Sequence, residues 1–189
     1  MSNPTTVNDS LSVRLWPFVL TAAVIVLDQI TNAVIVATVP RIETGTVISV
    51  IGDFLRIIHT RNLGVAFSLG RSLPEATRRV LFTILPAVVL VGIVIYYLKS
   101  DEFTRLQRWA LAGIIGGGVG NVIDRIFRAE GVVDFIDVKF YGIFGMERWP
   151  TFNVADATVV VCGILLIASL LLQRPVTLPA GEVEHEQEG

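Results

Sequence analysis

Four apolar stretches, with cores at about residues 15–39, 80–98, 109–127 and 157–172, set the strongest limit on what this chain can fold into. A helix needs about 20 residues to cross the hydrocarbon core of a bilayer, and all four stretches reach that length with their polar ends included. In lipid each spanning segment must satisfy its own backbone N–H and C=O groups, so the stretches read as transmembrane helices at about 15–39, 80–98, 106–127 and 153–172. Composition agrees. Hydrophobic residues make up 52% of the chain, charged residues 17%, and the mean hydropathy is +0.66. Soluble domains carry about one quarter charged residues. The first apolar run exceeds the roughly 7–15 residues of a signal peptide and reads as a retained helix.

The expected fold class is therefore an α-helical membrane protein of four transmembrane helices. Residues 1–174 form a single membrane-embedded domain, and 175–189 form a polar, acidic tail that is expected to be disordered. Between the first two helices, residues 48–58 are rich in isoleucine and valine, with turn signals at Gly45, Gly52 and Gly64. They predict a small β-sheet within about 40–72. Residues 132–146 mix aromatic and charged side chains and are expected to lie in the membrane interface. Four helices put both termini on one side, but charge does not say which. Arg14, Lys99, Arg105, Arg108 and Arg174 lie with the termini, and the other ten basic residues lie opposite.

Residue counts exclude several chemistries. The net charge of −2 offers no basic stripe for nucleic acid. One cysteine, Cys162, forms no intramolecular disulfide, and two distant histidines, His59 and His185, are too few for a Cys/His zinc site. No metal or other cofactor is expected. Serine–histidine catalysis would rest on His59 alone, without a Gly-x-Ser-x-Gly turn. Carboxylates remain as the main acid–base groups.

A carboxylate within a membrane helix costs a few kcal/mol on insertion scales and so needs a partner or a purpose. Asp28, the deepest, reads either as a polar clamp with Thr31 one turn on, or as a substrate contact. Asn121, Asp124 and Arg125 fall at i, i+3 and i+4 on one face of the third helix, below a run of small residues that favours close packing. The adjacent Asp124 and Arg125 read as a neutralising scaffold pair. Asp134, just past the third helix, and Asp156, one turn after Asn153 at the start of the fourth, meet at one membrane face if those helices run antiparallel. Two nearby carboxylates share a proton, the arrangement that activates water against an amide. Asp156 is equally readable as a first-turn charge favoured by the helix dipole.

Five motifs together resemble the lipoprotein signal peptidases (signal peptidase II). They are Asp28-Gln29-x-Thr31, Asn62-x-Gly64-x-Ala66-Phe67, Gly116-Gly117-x-x-Gly120-Asn121-x-x-Asp124-Arg125, Val132-Val133-Asp134-Phe135 and Phe152-Asn153-x-Ala155-Asp156. They occur in the family's order across residues 15–172. The resemblance implies an aspartic endopeptidase of the bacterial cytoplasmic membrane that removes signal peptides from prolipoproteins, cleaving before a diacylglyceryl-modified cysteine. It implies Asp134 and Asp156 as catalytic residues. Asp28, Asn62, Gly64, Asn121, Asp124, Arg125 and Asn153 carry over as residues that support the pair or touch substrate. It also implies cytoplasmic termini, an active site near the outer membrane face, a sheet after the first helix, and diacylated prolipoproteins and membrane lipid as partners of a monomer. Two departures stand out: Asn32 occupies the place of the lysine that usually ends the first motif, and the Asp134–Asp156 spacer is a few residues long.

Other readings fit less well. A proton-coupled transporter would spread its acids through the bilayer, often over internal repeats. A non-catalytic assembly protein has no use for Asp134 and Asp156 together. The Gly-x-Gly-Asp motif of presenilin-type proteases is absent.

Overall fold

The computed structural model describes residues 11–64, 70 and 72–172. The acidic tail at 175–189, and the part of the expected sheet region at 65–69 and 71, lie outside the described residues. Four helices carry the fold: α1 (Phe18–Thr38), α2 (Glu75–Lys99), α3 (Arg105–Phe127) and α4 (Val154–Leu172). All four are long and apolar enough to cross a membrane. Their apolar surface faces outward. Val88, Val91, Ile164 and Ile167 are each more than half exposed, as suits helices whose surroundings are lipid.

The bundle is built around α3, which packs against the other three helices. This helix is capped at its start by a reciprocal pair, Thr104 Oγ1 accepting from Gln107 N and Gln107 Oε1 accepting from Thr104 N. Its small residues let neighbours approach. A Cβ at Gly117 would lie 2.4 Å from Ala155 O, so only glycine lets α3 meet the first turn of α4. The buried positions of α1, Thr21, Val24, Asp28, Asn32 and Ile35, recur at three- and four-residue spacing and form the stripe turned to α3. In α2 a π turn spans Val80–Ile84. Pro86, just beyond it, has no N–H to donate to the carbonyl four residues back, and the hydrogen-bond ladder shifts there.

A three-stranded antiparallel sheet sits beside one end of the bundle, with β1 (Ile48–Ile51), β2 (Leu55–Asn62) and β3 (Val132–Val138) in sequential order. The sheet recruits β3 from the segment expected to be interfacial. Its burial explains why no strand could be read there. Val132, Val133, Asp134 and Phe135 are all buried, so the strand lacks the alternation that marks a half-exposed one. Gly131, at φ 89°, makes the turn from α3 into β3, and a Cβ there would sit 2.3 Å from Asn62 O. The pairing of Asn62 with Val132 and Thr60 with Asp134 then fixes β3 against β2. Val133 and Phe135 join Ile35 and Val39 in a small apolar core that seats the sheet on α1.

Candidate active site

Asp134 and Asp156 line one cavity of about 680 Å³ together with Asn62, Asn121 and Arg125. Asp134 comes from β3 and is almost wholly buried. Its Oδ2 accepts from Asn62 Nδ2 at 3.0 Å, while Asn62 Oδ1 accepts from Gly64 N at 3.0 Å, which fixes the amide's orientation. Asp156 sits in the first turn of α4. Asn153 caps that helix, its Oδ1 accepting from Asp156 N at 2.8 Å, and Asp156 Oδ2 faces back toward Asn153 N at 3.4 Å. The other oxygen of Asp156 is not used by the cap: Oδ1 accepts from Asn121 Nδ2 at 2.7 Å. Asp156 is thus both a capping residue and a cavity residue.

Asn153 joins the two acids. Its Nδ2 lies 3.3 Å from Asp134 Oδ1, 3.3 Å from Val133 O and 3.1 Å from Asn121 Oδ1, so one amide spans the ends of β3, α3 and α4. Arg125 donates from Nη1 to Asn121 O and from Nη2 to Gly64 O, both at 3.3 Å, and its guanidinium borders the cavity. Burial first, and then the charge of Asp156, push Asp134 up to about 8 from the ordinary carboxylate value of 3.8. The Asn62 donor and the Arg125 charge act in the opposite direction. Asp134 therefore keeps its proton at neutral pH.

The expected ion pair between Asp124 and Arg125 is replaced by another. Asp124 Oδ1 accepts from Arg128 Nε at 2.8 Å, because residues four apart on a helix face each other and consecutive ones do not. Asp28 is fully buried beside α3, outside the cavity lining, and bonds to Ala155 N, Gln29 and Asn32, while Thr31 donates only to Leu27 O and Asp28 O of its own helix. Asp124, Asn153 and Gly64 likewise act from behind the cavity wall. His59, in β2, bonds through Nδ1 to Val39 O at 2.9 Å.

Sequence reasoning missed the apolar wall. Leu81, Phe82 and Pro86 of α2, Val159, Val160 and Val161 of α4, and Trp149, Pro150 and Thr151 of the segment before α4 also line the cavity. Leu81, Val160 and Val161 are also among the exposed large apolar residues, so the cavity wall continues into the lipid-facing surface. Only a position near the helix ends could have pointed to them. The partner of Asp124 had a clearer signal, the i, i+4 spacing to Arg128.

Membrane-spanning helices that close over a paired-carboxylate cavity define a multi-pass membrane protein with an acidic site at one end of its bundle. A family model described as Signal peptidase (SPase) II matches residues 20–172, and the chain belongs to that family. The chain is 54% identical over 157 residues to a lipoprotein signal peptidase of Treponema denticola, covering 83% of this chain and 89% of the relative. It is 49% identical over 158 residues to the lipoprotein signal peptidase of Treponema pallidum, covering 84% of each. A solved bacterial membrane enzyme superposes with a TM-score of 0.72 at 28% identity, covering 87% of this chain and 93% of that one.

Proposed function

We propose that Asp134 and Asp156 are the catalytic pair with which this chain cleaves prolipoproteins immediately before a diacylglyceryl-modified cysteine. As a signal peptidase II the chain is an aspartic-type protease, and its relatives' function is removal of signal peptides from prolipoproteins. One observation carries the assignment of residues: among the acids of the described residues, Asp134 and Asp156 line the cavity, and Asn153 bonds to both, through Nδ2 to the Asp134 carboxylate and through Oδ1 to Asp156 N.

In this mechanism a water molecule binds between the two carboxyl groups. Asp156 accepts a proton from it as the water oxygen bonds to the scissile carbonyl carbon. Asp134, protonated at neutral pH, donates a hydrogen bond to the carbonyl oxygen that becomes negatively charged. When the C–N bond breaks, the proton passes to the leaving amine, and the two acids end with one proton between them as they began. Arg125 offers a nearby positive charge, and Asn62, Asn121 and Asn153 hold the acids in register.

The apolar wall from α2 and α4 is suited to acyl chains, since each buried CH₂ contributes roughly 0.8 kcal/mol. The Trp149–Thr151 segment is where the extended peptide would enter. This reading places the site near the extracytoplasmic face of the bacterial cytoplasmic membrane, with both termini inside, in a monomer that contacts membrane lipid, and with residues 1–174 as the working domain. Both acids come from one chain, so a single copy suffices.

The test is cleavage of a purified diacylated prolipoprotein beside its unmodified precursor, with Asp134→Asn and Asp156→Asn as controls. Loss of the signal peptide from the diacylated form alone, abolished in both variants, is expected. Equal cleavage of the unmodified precursor would make the chain a general membrane protease. Chelator is expected to have no effect, because the dyad needs only water.

A further inference from the structure

Two further carboxylates, Asp28 and Asp124, are fully buried behind the cavity wall, and the mechanism above assigns them no step. Each holds the backbone N–H that precedes a catalytic residue. Asp28 Oδ1 accepts from Ala155 N at 3.0 Å, one residue before Asp156. Asp124 Oδ2 accepts from Val133 N at 3.1 Å, one residue before Asp134. The two anchoring acids are themselves tied together. Asn32 Nδ2 donates to Asp28 Oδ2 and to Asp124 Oδ2, both at 3.1 Å. Gln29 Nε2 lies 3.1 Å from Asp28 Oδ2 and 3.0 Å from Asp124 Oδ1.

Each bridge spends donors from a side-chain amide on two carboxylates that would otherwise repel. Among the described residues, Arg128, at the far side of Asp124, is the cation within ion-pair distance of either of them. The backbone leaves room for this arrangement: a Cβ at Gly120 would sit 2.9 Å from Asp28 Oδ2. We infer that Asn32 and Gln29 are positioning residues, forming a buried amide strut between Asp28 and Asp124 that sets the separation of the Asp134 and Asp156 carboxyl groups. The chain of bonds runs from Asp134 through Val133 N, Asp124, Asn32, Asp28 and Ala155 N to Asp156, parallel to the amide bridge made by Asn153 on the cavity side. With both in place the acids are held from two sides, and a rigid pair is what a bridging water requires.

The inference rests on Asp134 and Asp156 being the catalytic pair, so its test carries Asp134→Asn alongside. Asn32→Leu keeps the branched four-atom skeleton of the side chain and removes both donated bonds. A misplacement of about 1 Å costs up to about 10²-fold in rate. Asn32→Leu is therefore expected to lower kcat per folded molecule by about 10- to 100-fold while KM for a diacylated prolipoprotein stays within about twofold, as befits an effect on the reacting groups and not on substrate binding. The alkaline limb of the rate profile is expected to move to lower pH, because Asp134 feels less of the Asp156 charge once β3 and α4 part; Arg125 and Asp124, the other charges acting on Asp134, stay in place.

A purely structural role for Asn32 would lower the melting temperature and leave both kcat and that limb unchanged, and this result overturns the inference. If Asn32→Leu does not accumulate, Gln29→Met, at a half-buried position, is expected to show the same two changes in smaller degree, and their absence is equally decisive. An active Asp134→Asn would instead remove the aspartate-pair reading itself. An inactive Asp134→Asn with a wild-type Asn32→Leu would remove the strut alone.

Discussion

The two ends of α3 both bury charge, and they do so by opposite means. At its N-terminal end Arg108, 1% exposed, donates to Ser100 O at 3.2 Å and lies 5.5 Å from the ring centre of Tyr97 and 6.0 Å from that of Phe103. These neighbours, one carbonyl and two ring faces, come from the adjoining turn and the end of α2. At the C-terminal end the buried groups are carboxylates and amides: Asp28, Asn32, Asp124, Asp134 and Asn153. They come from α1, α3, β3 and the turn before α4, and they converge behind a cavity that Asp134 itself lines. The comparison teaches that burial of charge alone does not mark a site. Convergence of several elements on an open space does.

The largest expected effects break the comparison at the acidic end. Asp134→Asn and Asp156→Asn each remove a group able to take or give a proton, and general acid–base catalysis is worth about 10²–10⁴-fold. Cleavage of a diacylated prolipoprotein should fall by at least that factor in both, with the proteins still inserted and folded. Arg108→Met should do the reverse. It should reduce stability by about 0.5–3 kcal/mol through lost contacts while kcat per folded molecule is retained. A detergent melting curve and single-turnover cleavage on the same preparations separate the two outcomes.

A smaller effect tests how the acidic end is held. Asp124→Asn weakens the bond to Arg128 and turns one acceptor into a donor facing Gln29. A buried hydrogen bond lost in this way costs about 1–3 kcal/mol. The expected result is a lower melting temperature together with reduced activity, since Val133 N loses its anchor next to Asp134. A variant that melts lower with full activity would show that the anchor does not reach the pair.

Linkage supplies a third test. Asp134 holds its proton up to about pH 8 in the folded protein and only to about 3.8 when unfolded. The folded state therefore binds the proton more tightly, and the stability this gives is fully present below pH 3.8. It is lost progressively between pH 4 and 8. Asp134→Asn has nothing to lose over this range. Its melting temperature should rise relative to the unchanged protein as pH increases, by about 2–4 °C for each kcal/mol recovered. Activity of the unchanged enzyme should decline above about pH 8, as Asp134 gives up its proton. A flat difference in melting temperature from pH 5 to 9 would mean that Asp134 is ionised throughout.

Much of this architecture was legible in the residues, for reasons that differ by element. The four helices could be read because lipid enforces long uninterrupted apolar runs, and these need no tertiary information. The first two strands could be read from isoleucine and valine with glycine at the turns. The third could not, because a strand buried on both faces has no period to detect. Among site residues, Asn153 and Asp156 were local, three residues apart across a helix start. The strut was not. Asn32 and Asp124 are 92 positions apart, and nothing in either neighbourhood says that one amide spans two carboxylates. Asn32 was noticed only as a departure from the lysine expected there, and its donor capacity had no visible target in the sequence.

The smallest expected effect sharpens the comparison from outside. Arg41 and Glu130 form an ion pair, and Glu130 lies between Asp124 and Asp134 in sequence, yet the two side chains are 43% and 54% exposed. Arg61 lies 3.9 Å from the same carboxylate, so the pair belongs to a loose basic cluster at the turn from α3 into β3. Exposed pairs gain little, because water screens them and ordering two long side chains costs entropy. Glu130→Gln should therefore leave the melting temperature and the cleavage rate indistinguishable from the unchanged protein at moderate salt. Raising the salt concentration should not alter that equality, since screening has little left to remove. A marked loss of activity in Glu130→Gln, without loss of fold, would show that charge reaches the carboxylate pair from the exposed turn before β3, and the boundary of the site would have to be drawn beyond the cavity.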